Sequence, residues 1–197
     1  MSKLAVDIVL LPPDEVMDIC IEVNNGVKDK LFVMSKKDFI PHISLCIGVI
    51  KEDKLPIVFS VLKKLKDELK QVPITIKSID RASGTRKSDW FKIEKNDILQ
   101  RTHEKVVGAL KHILEFQSND VDILFRKDDE KVGTIPKTLS EGYLHFSLEK
   151  YNPHITLGGR EATWKTFPIN YLAKEMAVFH AGDHISCRKL LFKLNLR

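Results

Sequence analysis

The chain has few cysteines and no long apolar run. Its 197 residues include three cysteines, Cys20, Cys46 and Cys187, each within an apolar segment. An odd number of cysteines at such positions is typical of buried free thiols in a reducing compartment, and it favours a cytoplasmic protein over a disulfide-stabilised secreted one. A membrane-spanning helix needs an apolar stretch of about 18 residues, and the sequence has none of that length, so we expect no membrane span. The apolar N-terminal stretch is interrupted by Asp7 and ends at Pro12 without a cleavage-type pattern, which predicts a first strand and not a targeting segment.

The bulk composition is ordinary for a soluble protein. Apolar residues make up 43% and charged residues 30% of the chain, and the net charge is +5. This mildly basic balance is compatible with a polyanionic substrate without requiring one. The length predicts a single domain over residues 1–197, with two lobes that share a core. We also expect a monomer.

A five-residue pattern occurs twice. The segments are Pro41-His42-Ile43-Ser44-Leu45 and Pro153-His154-Ile155-Thr156-Leu157, and an aromatic residue, Phe39 or Tyr151, stands three positions before each histidine. With average residue usage, such a pattern arises by chance at about one position in 10⁵. Its recurrence indicates duplicated halves that each contribute one histidine to a shared site.

Each copy predicts a strand, because its residues are largely apolar and partly β-branched. Side chains two positions apart on a strand share a face. His42 with Ser44, and His154 with Thr156, should therefore face a cleft while the aliphatic residues point into the core. Two histidines that titrate at about pH 6.5 can act as a base and an acid in phosphoryl chemistry. The hydroxyl groups can donate hydrogen bonds to phosphate oxygens.

The two histidines have two other interpretations. A single His-x-Ser is usually a half-buried structural histidine, but the duplication favours catalysis. Zinc binding needs three or four ligands. No Cys-x-x-Cys, His-Glu-x-x-His or Asp/His cluster accompanies the two motifs, so we predict no metal and no cofactor.

With both motifs in view, the chain resembles the 2H phosphoesterase superfamily, which is named for paired His-x-[Ser/Thr] motifs, and in particular the RNA 2′,3′-cyclic phosphodiesterases or 2′-5′ RNA ligases. A weaker similarity covers Gly84-Thr85-Arg86, Trp90-Phe91-Lys92-Ile93 and a following helix with Leu99 and His103. The resemblance implies two pseudo-symmetric lobes with the active site in the cleft between them. It places the catalytic histidines at His42 and His154 and the phosphate-binding hydroxyls at Ser44 and Thr156.

Patterning along the chain predicts an α+β fold with antiparallel sheets flanked by helices. Helices are expected from Pro12 to about Asn24, over 54–70, from a capping-box-like start at Asp97 to about Phe116, and at 168–174. His103 falls on the apolar stripe of the third helix and is expected in the core. The charged segment 117–141 is expected to form an irregular loop with a short strand at Val121–Phe125, and another strand is expected at 143–148.

Three further residues are candidates for substrate contacts. Phe39 and Tyr151 can stack on a base or pack at the entrance of their strands. Arg160, just after the second motif, can contact a phosphate or remain an ordinary surface cation. The expected partner is RNA or a nucleotide with a cyclic phosphate.

The sequence leaves three functions open. The first is a metal-independent phosphodiesterase that opens RNA 2′,3′-cyclic phosphate ends, giving a 2′-phosphate by family analogy. The second is the same chemistry on a small cyclic or 2′-5′-linked nucleotide. The third is a non-catalytic RNA- or nucleotide-binding module, against which the intact His and Ser/Thr residues in both halves weigh.

Overall fold

The computed structural model describes residues 2–83, 87–115, 121–127 and 150–197. Within these ranges the strands form two four-stranded sheets, and every neighbouring pair of strands is antiparallel. The predicted α+β fold with two lobes and flanking helices is therefore confirmed. In chain order the elements are β1 (Lys3–Leu11), α1 (Asp14–Gly26), β2 (Ile43–Lys51), α2 (Leu55–Leu65), β3 (Val72–Asp80), β4 (Trp90–Ile93), α3 (Asp97–Leu110), β5 (His154–Thr156), β6 (Ile169–Ala173), β7 (Glu175–Gly182) and β8 (Ser186–Asn195).

The two sheets place the motif strands in equivalent positions. Their strand orders are β2-β1-β7-β8 and β5-β4-β3-β6, so β2 and β5 each form one edge of their sheet. These two edges contact each other. The chain passes from one sheet to the other at Lys174, the single residue between β6 and β7. The topology therefore brings both halves of the repeated pattern to the junction of the lobes.

The two faces of β1 have different roles. Val6, Ile8 and Leu10 lie in a continuous apolar core that includes buried residues of both sheets and of all three α-helices. The other face of the strand carries smaller apolar clusters around Ala5 and Val9, and Asp7 lies between these two residues. β1 thus supplies the main core on one side and a buried carboxylate on the other.

The predicted helix at 168–174 is wrong. Ile169–Ala173 is strand β6, which pairs with β3 in the register Val72 to Ala173 and Ile76 to Ile169. Ile169, Tyr171 and Ala173 are less exposed than the two residues between them, which is the period of a strand. Pairing with the open edge of β3 decides the conformation of this short segment, where the local pattern alone was ambiguous.

The short strand expected at Val121–Phe125 also needs correction. Val121–Ile123 forms a 3₁₀ helix, not a strand, and Phe125 makes an isolated bridge with Gly182. The consecutive residues Ile123 and Leu124 are both buried, and a regular strand would point them in opposite directions.

Helix α3 begins one residue earlier than a cap at Asp97 would place it, because Asp97 is itself the first helical residue. Its N-cap is Asn96, whose side chain accepts a hydrogen bond from the Leu99 amide. The helix ends at Leu110, before the predicted Phe116, and the backbone of Glu115 then pairs with Val49.

The strand expected at 143–148 lies outside the described residues. No helix in the described part of the chain is long and apolar enough to cross a membrane.

Candidate active site

The two motifs have the same local geometry. His42 Nδ1 lies 2.6 Å from the carbonyl oxygen of Ile40, and His154 Nδ1 lies 2.9 Å from that of Asn152. A carbonyl oxygen can only accept, so Nδ1 must carry the hydrogen in both rings. This arrangement fixes the same tautomer in both rings, with Nε2 as the basic nitrogen of the neutral form.

The side chains of both motifs also alternate as expected for strands. His42 and Ser44 are partly exposed while Ile43 and Leu45 are buried. The second motif repeats this pattern residue by residue over 154–157. The aliphatic residues belong to the main core, so packing on one face holds the histidine and hydroxyl on the other.

Tyr151 connects the two motifs and does not offer a surface for a base. Its hydroxyl donates a hydrogen bond to the Ser44 carbonyl oxygen at 3.1 Å. Its ring is 3% exposed and stacks on His103 at a centroid distance of 4.0 Å. The base-stacking role predicted for Tyr151 is therefore wrong, because the ring packs within the protein. His103 lies in the core, as its position on the helix stripe predicted.

Phe39 is engaged by neighbouring side chains. Its ring stacks on Phe32 with 4.8 Å between centroids, and the guanidinium carbon of Arg188 lies 4.1 Å from its centroid. Arg188 is itself buried and bonded to Asp38. These contacts favour packing at the strand entrance, the alternative to base stacking for Phe39.

Asp7 is a functional candidate that the repeated pattern does not include. It is fully buried, yet its Oδ2 accepts a hydrogen bond from the Ser44 hydroxyl at 2.7 Å and lies 3.5 Å from His42 Nε2. Its Oδ1 has no hydrogen-bond partner among the described residues. The available signal was an acidic residue within the apolar run Leu4–Leu11, since carboxylates are rarely buried without a partner.

The pKa values of Asp7 and His42 are coupled. Burial raises the pKa of Asp7, and the hydrogen bonds and charge from His42 and Ser44 only partly oppose it. Burial lowers the pKa of His42, but the hydrogen bond and charge of Asp7, together with the Ile40 carbonyl, outweigh it and raise that pKa. The pair therefore retains one proton to higher pH than an isolated histidine does.

A cysteine also reaches this site. Cys187 is fully buried on β8, and its sulfur, a carboxylate oxygen of Asp7 and a ring nitrogen of His42 all lie within 4.8 Å of one another. The sequence argument that no further metal-ligand type accompanies the histidines does not hold at His42. Donors distant in sequence meet there because β1 and β8 belong to the sheet that β2 completes. The predicted free, buried state of all three cysteines is confirmed.

Two buried polar residues hold the loops around the motifs. The Asn24 side chain donates to the Leu157 carbonyl at 2.9 Å and accepts from the Met34 amide at 2.8 Å, which ties the loop before the first motif to the end of the second. Asp89 accepts hydrogen bonds from Arg81 and from the Ala162 amide. Neither residue carried a signal in the sequence.

Arg160 lies at the periphery. It is exposed, and its backbone amide and carbonyl pair with Lys28. Together with Arg81, Asp89 and Glu161 it lines an open cavity of about 480 Å³ that carries charges of both signs. The phosphate contact expected of Arg160 stays a prediction.

No protein-family model matches the sequence, and no curated protein sequence matches it either. Solved structures do share the fold. TT0787 of Thermus thermophilus is 15% identical, with a TM-score of 0.64 over 98% of each chain. LigT of E. coli in complex with NADP+ is 11% identical, with a TM-score of 0.56 over 99% of each chain, and a structure described as a phosphoesterase is 12% identical, with a TM-score of 0.54 over 99% of each chain. These neighbours belong to the 2H phosphoesterase superfamily, and this chain has their fold, as its paired motifs implied.

Proposed function

We propose that the protein is a metal-independent phosphodiesterase that opens 2′,3′-cyclic phosphate ends of RNA to 2′-phosphates. The observation that carries this proposal is the matched pair of histidines. Each ring donates its Nδ1 hydrogen to the carbonyl oxygen two residues earlier, so Nε2 is the basic nitrogen of the neutral ring, and each histidine shares a partly exposed face with a Ser or Thr of an edge strand. The two edge strands contact each other, which supports a shared site.

The chemistry divides between the two rings. His154, as the base, takes a proton from a water molecule that attacks phosphorus, and the bond from phosphorus to the 3′ oxygen breaks. His42, as the acid, gives its Nε2 proton to that leaving oxygen, so the product is a 2′-phosphate and a 3′-hydroxyl. The carboxylate of Asp7 supports this assignment because it helps keep His42 protonated. Each transfer contributes about 10²–10⁴-fold to the rate.

Ser44 and Thr156 stabilise the phosphate. Their hydroxyl groups donate to the non-bridging oxygens, on which negative charge increases in the transition state. Ser44 donates to Asp7 in the free protein, so it must turn from the carboxylate to the substrate.

A small nucleotide is the second candidate substrate. LigT, which shares the fold, has been solved in complexes with 3′-AMP, ATP and NADP+. The same histidine pair would then act on a cyclic or 2′-5′-linked nucleotide. Arg160 would distinguish an oligonucleotide from a cyclic mononucleotide, because only the oligonucleotide has a phosphate beyond the reacting one.

The test compares an RNA oligonucleotide ending in a 2′,3′-cyclic phosphate with a cyclic mononucleotide, both in the presence of EDTA. We expect turnover of the oligonucleotide, with the phosphate on the 2′ position by chromatography and NMR. His42→Ala and His154→Ala should each lower turnover by about 10² or more. His112→Ala, at an exposed histidine after α3, is the matched control and should keep the wild-type rate.

Each alternative has its own outcome. Preference for the mononucleotide, with no effect of Arg160→Ala, would support the small-nucleotide enzyme. Binding of both substrates without turnover would identify a non-catalytic module. Near-wild-type turnover in either His42→Ala or His154→Ala would refute the two-histidine mechanism.

A further inference from the structure

Three side chains from distant parts of the chain place metal-ligand atoms next to each other. Asp7 lies on β1, His42 directly precedes β2, and Cys187 lies on β8, with their ligand atoms all within 4.8 Å. A carboxylate oxygen, an imidazole nitrogen and a thiolate sulfur form a donor set that suits Zn²⁺. Small side-chain movements would bring these atoms to tetrahedral spacing.

The orientation of His42 is that of a metal ligand. Metal-binding histidines usually donate the other ring N–H to a backbone carbonyl or a carboxylate, and His42 Nδ1 donates to the Ile40 carbonyl at 2.6 Å. In the neutral ring the Nε2 lone pair then faces the Asp7 carboxylate at 3.5 Å. Two acceptors at this distance require a positive charge between them, which either a proton or a metal cation supplies.

Asp7 provides an independent observation. Its Oδ1 is buried and has no hydrogen-bond partner among the described residues, although an unsatisfied buried carboxylate oxygen is costly. Its Oδ2 accepts from Ser44, as ligating carboxylates commonly do from neighbouring groups. A cation beside Asp7 would satisfy the carboxylate.

The third donor is held in register with His42. The Ile40 amide donates to the Cys187 carbonyl oxygen at 3.1 Å, so the segment that orients the imidazole is bonded to the strand that carries the thiol. Cys187 is fully buried, whereas the His42 side chain is 16% exposed. A cation would therefore enter from the side of the histidine.

We propose that Asp7, His42 and Cys187 form a binding site for a divalent cation of the zinc class, and that its occupancy inhibits the enzyme. Binding forms bonds from the metal to oxygen, nitrogen and sulfur. It releases to solvent the thiol proton and, where His42 is charged, the Nε2 proton. Inhibition follows because a coordinated Nε2 cannot protonate the leaving oxygen. That consequence rests on the proposed function, whereas the binding itself does not.

The binding test uses the full-length protein and Co²⁺, whose bond to a thiolate gives a charge-transfer absorption band. Titration of the unaltered protein should produce this band with one metal bound per chain, and Zn²⁺ should displace the cobalt. The absence of the band in the unaltered protein would overturn the proposal. This measurement depends on neither a variant nor an activity.

Two thiol variants then locate the site. Cys187→Ser should abolish the band, while Cys20→Ser, at a buried thiol in α1, should retain it. Circular dichroism establishes that both variants are folded. If Cys187→Ser does not fold, Asp7→Asn takes its place and should weaken cobalt binding about 10-fold or more. Retention of the band in folded Cys187→Ser, or unchanged affinity in Asp7→Asn, would overturn the assignment.

The activity arm compares inhibition by Zn²⁺ with each variant's own metal-free rate. The wild type and Cys20→Ser should be inhibited in proportion to occupancy and recover with EDTA, and Cys187→Ser should need about 10-fold more zinc or higher. Equal inhibition of Cys187→Ser would refute the proposed link between this site and activity. If the protein opens no cyclic phosphate at all, the proposed function fails while the cobalt measurements still decide on the site.

Discussion

Replacing Asp7 by Asn tests whether this carboxylate raises the pKa of His42. Asparagine preserves the size of the side chain and can still accept from Ser44, but it removes the negative charge that lies 3.5 Å from His42 Nε2. Burial would then lower the pKa of His42 without the main interaction that opposes it. The pKa of His42 should fall in the variant.

The size of the effect follows from the distance. Two unit charges about 4 Å apart interact by about 4 kcal/mol at an effective dielectric constant of about 20. Asp7 supplies less than this, because burial raises its own pKa and so opposes its ionisation. An opposite charge within about 4–6 Å typically moves a pKa by about one unit or more, and we expect a change of at least that size in the titration of His42.

The assay follows His42 directly by NMR of protein with labelled histidine side chains, and in parallel measures kcat/KM against pH. The direction in which the pH profile moves depends on whether His42 is the acid or the base. The acid must be protonated, so a lower pKa moves the high-pH limb of the bell-shaped profile to lower pH. If His42 were the base, the low-pH limb would move instead, so the profile also assigns the roles.

The matched control is Asp89→Asn, which removes a buried carboxylate from the other lobe. Asp89 hydrogen-bonds Arg81 and two backbone amides, and burial raises its pKa less than these partners lower it. This variant should lose stability without moving the titration of His42. An unchanged His42 titration in Asp7→Asn would show that Asp7 is merely structural and would refute the reasoning.

Three further predictions concern the hydroxyl groups, metal removal and the loop after the second motif. Ser44→Ala and Thr156→Ala should each lower kcat about 10-fold or more through lost hydrogen bonds to the phosphate, and an unchanged kcat in both would contradict this role. Chelator-treated protein should keep full activity in a fluorescent oligonucleotide assay, and loss with recovery on adding a metal would indicate a metallohydrolase. Gly158→Ala should lower the midpoint of thermal unfolding by several degrees, because Gly158 has φ +72° and an added Cβ would lie 2.7 Å from Asn24 Nδ2. Gly26→Ala is the control and should change the midpoint little, because a Cβ added there would meet no neighbouring side chain within 4 Å.

The parts of the site that the sequence predicted are those that local patterning determines. The alternation of His42 with Ile43 and of His154 with Ile155 needs only the period of a strand, and the structure has that alternation in both motifs. The repeat itself indicated a relation between the two segments. Their adjacency depends on the strand order, which the resemblance implied and composition did not.

The parts that the sequence missed depend on pairing between distant strands. Cys187 meets Asp7 only because β7 lies between β1 and β8 in one sheet, and nothing near either residue indicates this order. For Tyr151, in contrast, the sequence suggested a substrate contact that the structure does not support. Its position before the second motif matched that of Phe39 before the first, but its hydroxyl is bonded to Ser44 and its ring is covered by His103.

The duplicated motifs are equivalent in backbone geometry but not in surroundings, and this difference gives a physical basis for a division of labour. Both rings are oriented by a carbonyl oxygen two residues earlier. Behind His42 lies a fully buried carboxylate, which favours a retained proton, whereas His154 lies beside the ring of Trp90, with 6.0 Å between the ring centroids. A symmetric pair would have no reason to hold one charged and one neutral imidazole at the same pH. Asp7 breaks that symmetry, and the same carboxylate that favours a proton on His42 makes this half of the site the one that can also take a metal cation.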